Sequence, residues 1–186
     1  MNTLILVRNG ETDWNKVNRI QGTVDIPLNG QGKIDAAKIA DDLSKIKIDA
    51  IYSSELSRSY ETAEIIGEGH NLKPQKIKEL NEFNQGLWQG LCLDDIKKRY
   101  KKQYAVWKSS PFSSKPPKGE SMKEAYDKVV KFVEKLLEKH KDNIICIVSH
   151  EIVIALIKYH FKKDCEKNIW DITPKPGAWE IVEINT

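Results

Sequence analysis

The stretch that decides the fold is Leu4–Thr12, with the sequence LILVRNGET. Its apolar run has the length and composition of a buried strand, which we predict over residues 3–7. The run ends abruptly at Arg8, Asn9 and Gly10, where a cation, a short amide and a flexible residue mark the exit from the core. A strand that delivers an arginine and a glycine to its carboxyl end is a common way to build an anion site in an α/β sheet.

The composition predicts a single globular domain over residues 1–186. The chain is 40% hydrophobic and 31% charged, and its net formal charge is only +3. This balance argues against a nucleic-acid partner recognised by bulk charge, but it allows a local basic pocket for a small anion. No segment approaches the ~20 consecutive apolar residues of a membrane span. The chain enters its first strand without a signal-like segment, so we expect no membrane partner either.

The cysteines predict a reducing compartment. Cys92, Cys146 and Cys165 are odd in number and far apart, with neither CxxC spacing nor a disulfide framework. We therefore expect a cytoplasmic protein in which each cysteine is a small buried or half-buried residue.

Strand and helix patterns alternate along the rest of the chain. Further strands are predicted over residues 49–53, 75–77, 143–148 and 179–184. Helices are predicted through 36–43, after Ser54 as a possible cap, over 93–107, from the capping box at Ser121 to about residue 141, and after residue 150. This alternation favours a three-layer α/β/α sandwich with a mostly parallel central sheet.

Three of the predicted strands end in polar residues. The first delivers Arg8 and Asn9, the second lies shortly before Arg58, and a third ends at Ser149 and His150. Ligands of parallel α/β sheets bind outside the carboxyl ends of the strands, so topology places these side chains along one rim. Two arginines and a histidine beside helix amino termini fit a phosphate group.

Glu82 adds a candidate general acid that could protonate the leaving oxygen of a phosphate ester, while His150 could stabilise the transition state. Taken singly, each residue has an ordinary structural explanation. Arg58 alone would be a surface helix residue, His150 a helix cap and Glu82 an exposed loop charge. Only their joint placement at one rim indicates a site.

These residues carry a resemblance to a known family. The chain resembles the histidine phosphatase superfamily, the phosphoglycerate-mutase-like fold, with the motifs in the family's order over most of its length. The matching segments are Arg8–Thr12, Trp14–Asn15, Gln21–Gly22, Pro27–Leu28, Tyr52–Ser59, Thr62–Ala63, Leu80–Glu82, Gly86–Gly90, Gly119–Ser121 and Val148–His150.

The resemblance implies a two-step phosphoryl transfer. A histidine at position 9 would take the phosphoryl group, and water would hydrolyse the phosphohistidine, with Glu82 acting first as acid and then as base. No metal or other cofactor is expected, because arginines supply the positive charge that a metal gives elsewhere. The residues expected to bind the phosphate are Arg8, Asn15, Gln21, Gly22, Arg58 and His150.

Asn9 is the first departure from the family pattern, since it occupies the position of the nucleophilic histidine. The lone pair of an amide nitrogen is delocalised into the carbonyl, so Asn9 cannot form the phosphoenzyme. The chain as written is therefore expected to hold a phosphate ester without cleaving it. Because every other motif member is present, we favour a deliberate His→Asn change that traps a ligand over a natural pseudoenzyme.

Glu151 is the second departure, because the family usually has a small residue after the second histidine. A carboxylate pointing inward would repel phosphate. We expect the side chain to point away from the site, in the first turn of a helix, where negative charge is favourable. The alternative is a rival acid, as the residue after that histidine is in the acid-phosphatase branch of the family.

The substrate is the least determined feature. Mutases of the family carry a long basic insertion, whereas only about thirty residues separate Trp88 from Gly119 here. This favours a phosphatase for a small metabolite of the phosphoserine or α-ribazole phosphate type, with a phosphoglycerate mutase as the alternative. A homodimer through an edge strand is also possible. The residues expected to contact the leaving group are Trp14, Gln21, Trp107 and the loop 109–118.

Overall fold

A five-stranded sheet forms the centre of the computed structural model, which describes residues 2–162 and 168–184. The strands are β1 (Asn2–Arg8), β2 (Ala50–Ser54), β3 (Gln75–Ile77), β4 (Ile144–Ser149) and β5 (Trp179–Ile184). Their order is β3-β2-β4-β1-β5, and β5 is the one antiparallel strand of this described sheet. The mostly parallel sheet predicted from the sequence is confirmed.

Seven helices surround the sheet in the described part of the chain. They are α1 (Asp13–Lys16), α2 (Gly30–Leu43), α3 (Ser57–His70), α4 (Leu93–Arg99), α5 (Lys101–Ser109), α6 (Met122–Lys139) and α7 (Glu151–Phe161). The prediction of one helix over residues 93–107 is wrong, because the backbone leaves helical values at Tyr100 (φ −119°, ψ 31°) and α4 ends there. The Tyr100 ring lies edge-on to Trp88, with 6.2 Å between the ring centroids.

The side chains of β1 explain the layered architecture. Leu4 and Leu6 pack with residues of α6 and α7, whereas Ile5 and Val7 pack with residues of α2 and α3 on the opposite face. A strand covered on both faces needs a continuous apolar run, and each such side chain contributes roughly 1.5–3 kcal/mol when buried. The three-layer α/β/α sandwich is therefore confirmed.

A third cluster of buried side chains combines aromatic and aliphatic residues, and we call it the aromatic cluster. Phe83, Trp88 and Trp107 pack there with Ile96 of α4 and with Ile152 in the first turn of α7. Because α7 begins directly after His150, this cluster adjoins the rim where the strands end.

Two sequence expectations can be followed further in this structure. Cys146 is buried, Cys92 is half-buried and both are free thiols, whereas Cys165 lies outside the described residues. None of the helices within residues 2–162 and 168–184 is long and apolar enough to cross a membrane.

Candidate active site

The register of the parallel strands brings the polar strand ends together. Arg8 is paired with Ser149 across β1 and β4, so Asn9 and His150 follow side by side. The Asn9 N–H donates to the Ser149 carbonyl at 2.9 Å and fixes this placement. A cavity of about 80 Å³ lies at this point. Its lining includes every residue predicted to act in catalysis or to bind the phosphate: Arg8, Asn9, Asn15, Gln21, Gly22, Arg58, Glu82 and His150.

His150 and Asn9 form the buried floor of this cavity, which we call the phosphate pocket. The Asn9 side-chain N–H donates to the Gly10 carbonyl at 2.8 Å, which turns Asn9 Oδ1 toward His150. Asn9 Oδ1 lies 2.9 Å from His150 Nδ1 and can only accept, so Nδ1 carries a hydrogen. Burial, followed by the positive charges of Arg58 and Arg8, holds the pKa of His150 well below its usual value.

Arg58 reaches the phosphate pocket from the first turn of α3 and is only 2% exposed. Its guanidinium donates to the carbonyls of Val24 (2.8 Å) and Gly22 (2.9 Å), and these two bonds fix the orientation of the guanidinium plane. Burial lowers the pKa of Arg58 to about 10, so it stays charged at neutral pH. Gly22 has φ +54°, a left-handed conformation in which a side chain would be strained, so the loop favours glycine at this position.

Glu151 corrects an expectation from the sequence. It begins α7 as predicted, but its side chain does not point away from the site. Glu151 Oε2 lies 3.0 Å from Arg8 Nη2, and the residue lines the phosphate pocket. Arg8 extends from the end of β1, and its Nη1 donates to the Pro174 carbonyl. The Glu151 carboxylate, at the start of α7, turns inward to pair with the same guanidinium. The Glu151 side chain is 41% exposed and free on its outer side to contact solvent.

Glu82 lies deep in the phosphate pocket and is 8% exposed. Its Oε1 accepts from the Phe83 N–H at 2.9 Å, and its Oε2 accepts a longer bond of 3.4 Å from the Ile152 N–H. Burial is the largest influence on the pKa of Glu82 and, with a smaller contribution from Glu151, raises it to about 6 against the opposing effects of the Phe83 N–H, Arg58 and Arg8. A carboxyl group with this pKa can give and take a proton near neutral pH.

Asn15 and Gln21 complete the pocket from the loop after β1. Asn15 belongs to a capping box in which its Oδ1 accepts from the Thr12 N–H at 2.9 Å, so its side-chain NH₂ is the group able to donate to a ligand. Gln21 Oε1 is buried without a hydrogen-bond partner. Both residues therefore offer polar groups to the same space as Arg58.

Contrary to the expectation from the sequence, Ser54 does not cap α3. Leu56 occupies the N-cap position of that helix. Ser54 Oγ accepts from the Leu56 N–H at 3.1 Å and lies 2.8 Å from His150 Nε2. Ser54 ends β2, and β2 is the direct neighbour of β4, which ends beside His150. This position is the signal that could have identified Ser54 as a partner of His150.

A second cavity of about 380 Å³ adjoins the phosphate pocket, and we call it the outer cavity. The two share Arg8, Asn15, Arg19, Ile20, Glu82, Gln85 and Glu151. The outer wall is aromatic with one added cation, and it consists of Trp88, Tyr104, Trp107, Trp170 and Lys108. Lys108 Nζ lies 4.3 Å above the Trp170 ring, and burial lowers its pKa.

The expected leaving-group residues are only partly found there. Trp107 lines the outer cavity and Gln21 the phosphate pocket, but neither Trp14 nor any residue of the loop 109–118 lines either cavity. Trp14 instead supports Arg19, whose guanidinium lies 5.4 Å from the ring centroid. Within residues 2–162 and 168–184, no group of three or more His, Cys, Asp or Glu side chains is arranged to hold a metal ion.

The model of the histidine phosphatase superfamily (branch 1) matches residues 4–186. The chain belongs to this superfamily. Phosphoserine phosphatase 1 of Hydrogenobacter thermophilus is 36% identical over 149 residues, covering 80% of this chain and 71% of the relative. The α-ribazole phosphatase of Escherichia coli is 28% identical (98% and 90% covered) and a 2,3-bisphosphoglycerate-dependent phosphoglycerate mutase of Pelagibacter ubique is 32% identical (90% and 84%). The family and these relatives support phosphatase or mutase activity.

Solved structures agree with this assignment. A mycobacterial glucosyl-3-phosphoglycerate phosphatase in complex with VO3 superposes with a TM-score of 0.91 at 26% identity, covering 98% of this chain and 93% of that one. A histidine-to-alanine mutant of Entamoeba histolytica phosphoserine phosphatase in complex with phosphoserine gives a TM-score of 0.85 at 25% identity (97% and 90% covered). Both are members of the phosphoglycerate-mutase-like fold that the sequence predicted.

Proposed function

We propose that this superfamily member has the site of a metal-independent phosphomonoesterase, which transfers a phosphoryl group to a histidine at position 9 and then to water. One observation carries the proposal: Arg8, Arg58, His150 and Glu82 line one small pocket around position 9. The arginines supply the positive charge that a transferring phosphoryl group requires.

Each side chain has a chemical role in this proposal. Arg8 and Arg58 bind phosphate oxygens through their forks, and the Asn15 NH₂ donates to a third oxygen. His150 stabilises the charge that develops on the phosphoryl oxygens. Glu82, with its pKa raised to about 6, protonates the leaving oxygen and afterwards takes a proton from the attacking water.

Asn9 removes the nucleophile from this arrangement and preserves the pocket. Both polar atoms of the Asn9 side chain form hydrogen bonds: Nδ2 donates to the Gly10 carbonyl, and Oδ1 bonds to His150 Nδ1. The residue is 4% exposed. Because the rest of the site is complete, we propose that Asn9 is a deliberate substitution for histidine that holds a phosphate ester uncleaved. The phosphoserine complex of a histidine-to-alanine relative is an example of a ligand-holding variant. The codon of the natural gene at this position decides between this explanation and a natural pseudoenzyme.

The proposal is tested by restoring the nucleophile. Asn9→His should release inorganic phosphate from at least one ester in a panel of phosphoserine, α-ribazole phosphate, sugar phosphates and phosphoglycerates. Asn9→Gln is the matched control, because glutamine approaches histidine in length but cannot take a phosphoryl group. Calorimetric titration of the unchanged chain should show binding of inorganic phosphate. No turnover by Asn9→His on any ester contradicts the catalytic assignment, and no phosphate binding contradicts the pocket itself.

The outer cavity supports an ester whose leaving group is at least the size of an amino acid. It has space for about 380 Å³ and offers aromatic side chains with Arg19 and Lys108. We therefore propose phosphoserine or α-ribazole phosphate as the substrate type. A phosphoglycerate mutase is the second candidate, favoured by the mutase relative. Product analysis separates them, since a phosphatase releases inorganic phosphate and a mutase returns the phosphoryl group to the sugar acid.

We also propose that the protein is cytoplasmic and forms a homodimer. The two described cysteines are free thiols, which supports the reducing cytoplasm. The outer side of β5 is an edge of the described sheet, and Ile181 on this strand is 44% exposed, which supports a homodimer through β5. Light scattering of the purified chain and of Ile181→Lys tests this: a dimer that Ile181→Lys dissociates is expected, and a monomer in both contradicts it.

A further inference from the structure

A chain of hydrogen bonds runs from buried His150 to the protein surface. His150 Nε2 lies 2.8 Å from Ser54 Oγ, and Ser54 Oγ lies 2.9 Å from Asn81 Oδ1. The Asn81 side-chain NH₂ donates in turn to the exposed carboxylate of Glu55 at 3.1 Å. Ser54 is fully buried and His150 is 1% exposed, so solvent cannot replace either partner in this chain.

The orientation of each amide in this chain is fixed by other bonds. Asn81 Oδ1 accepts from the Glu55 N–H at 2.8 Å, and its nitrogen faces the Glu55 carboxylate, so Oδ1 is the atom beside Ser54. On the other side of the imidazole, Asn9 Oδ1 faces His150 Nδ1. Neither oxygen can donate, so every hydrogen in these contacts must come from Ser54 or from His150.

The hydrogen count then favours one protonation state. The Ser54 hydroxyl has a single hydrogen, and one of its lone pairs accepts from the Leu56 N–H. If this hydrogen goes to Asn81, His150 Nε2 must carry a hydrogen of its own to bond with Ser54. His150 Nδ1 already donates to Asn9, so all contacts are satisfied together only when His150 is an imidazolium. With a neutral His150, the Ser54 hydroxyl can serve either Asn81 or His150, but not both.

The charges around His150 oppose this state in the empty site. Arg8 from β1 and Arg58 from α3 act against a third positive charge, and both line the phosphate pocket. Two carboxylates also face this pocket. Glu82 directly precedes Phe83 in the chain, and Glu151 on α7 is paired with Arg8. A phosphate dianion bound by the arginines would reverse the balance in favour of a proton on His150.

We propose that Ser54 and Asn81 are positioning residues that prepare His150 to take up a proton when a phosphate group binds. On binding, Nε2–H of His150 donates to Ser54, and the Ser54 hydroxyl turns its hydrogen to Asn81. Substrate binding and the proton of the transition-state-stabilising group are thereby coupled. The inference rests on the proposed phosphate site and adds to it the residues that control its second histidine.

The test follows the protonation of His150 directly. Imidazole NMR signals of the unchanged chain, which has four histidines, are titrated from pH 5 to 9 in saturating inorganic phosphate. Ser54→Ala should lower the midpoint of His150 by about one pH unit, because Nε2–H loses its acceptor. It should also weaken phosphate binding about tenfold at pH values below both midpoints, where the bound state holds the proton, and leave binding unchanged well above them. Ser53→Ala is the matched control, since Ser53 is equally buried in β2 but bonds to Ser54 O and Ser59 instead.

Two further variants separate positioning from simple structural support. Ser54→Thr keeps the hydroxyl and should restore the His150 midpoint. Asn81→Ala leaves Ser54 in place and should still lower the midpoint, because the hydroxyl then donates permanently to Nε2; this variant keeps the test open if Ser54→Ala fails to fold. A midpoint in Ser54→Ala and Asn81→Ala equal to that of Ser53→Ala overturns the inference and leaves the phosphate site intact. A complete lack of phosphate binding by the unchanged chain overturns both.

Discussion

The phosphate pocket and the outer cavity share a wall but are built in opposite ways. In the phosphate pocket, the buried charged side chains are held by backbone groups, as Arg58 is by the carbonyls of Gly22 and Val24 and Glu82 is by the Phe83 N–H. In the outer cavity, the groups come from distant segments and rest on one another, as Lys108 does on Trp170. The first arrangement places fixed charges around one chemical group, whereas the second offers a mixed aromatic and charged surface to the leaving group.

This difference predicts how substitutions divide. A change in the phosphate pocket should alter the binding of inorganic phosphate and of every ester by the same factor. A change in the outer cavity should alter ester binding and leave inorganic phosphate untouched. For each variant, the quantity to measure is therefore the ratio of its affinity for an ester to its affinity for inorganic phosphate.

The largest effect is expected for Arg58→Met. It removes a buried fork and leaves the carbonyls of Gly22 and Val24 without donors, so phosphate binding should weaken about a hundredfold, or about 3 kcal/mol. Phosphoserine should lose the same factor. Arg99→Met, on the exposed surface of α4, is the control for net charge and should bind both ligands normally. Calorimetric titration of both variants with both ligands measures this, and a loss confined to phosphoserine would contradict the division between the cavities.

Glu82→Gln should raise stability at neutral pH. The pKa of Glu82 is raised to about 6 in the folded protein, above its unfolded value of 4.5. The folded state therefore holds the proton more tightly, and the contribution of Glu82 to stability is greatest below about pH 4.5 and lost as the pH rises through 6. Removing the charge should stabilise the protein by about 2 kcal/mol at pH 7.5 and not at pH 4.

Urea unfolding at the two pH values measures this effect. Glu79→Gln is the matched control, because Glu79 is exposed in the same short 3₁₀ turn that precedes Glu82. Equal changes at both pH values, or a stabilisation of Glu79→Gln of the same size, would show that Glu82 is not strained by burial.

The sequence marks the residues of the phosphate pocket through polar strand ends with tight backbone contacts and, for Asn15, Gln21 and Gly22, through the family resemblance. Gly10 illustrates this: a Cβ at position 10 would lie 2.3 Å from the Gly32 carbonyl oxygen, so the motif at the end of β1 is a steric necessity. Strand ends and caps are visible in the local sequence, and the register of β1 and β4 then follows from the apolar runs. The eight predicted residues accordingly line one cavity.

The outer cavity was predicted poorly because nothing local specifies it. Lys108 and Trp170 are 62 positions apart and meet only through packing in the aromatic cluster. The inward turn of Glu151 was missed for the same reason, since its partner Arg8 lies on a different element. Helix position alone favoured a solvent-facing carboxylate, and a long-range ion pair decided otherwise.

Glu151→Gln should have a smaller effect that strengthens binding. The variant frees Arg8 and removes a negative charge beside the phosphate, so inorganic phosphate and phosphoserine should both bind about fivefold more tightly. Glu183→Gln, exposed on β5, controls for net charge. In the Asn9→His background, unchanged turnover of Glu151→Gln would exclude Glu151 as the acid. A large loss of turnover would instead transfer that role from Glu82 to Glu151.

The smallest effect, and the one that examines the outer cavity directly, is expected for Lys108→Met. Methionine keeps the aliphatic stem over Trp170 but loses the ammonium group, which lies 4.3 Å from the centroid of the Trp170 ring. Phosphoserine, which carries a carboxylate on its leaving group, should bind two- to threefold more weakly, because an exposed charge pair contributes about 0.5 kcal/mol. Phosphoethanolamine lacks that carboxylate and should be unaffected, as should inorganic phosphate. Lys102→Met, exposed on the same helix α5, is the matched control. If the binding of all three ligands weakened equally, Lys108 would act through its electrostatic attraction for the phosphate group. The distinction between the two cavities would then be lost.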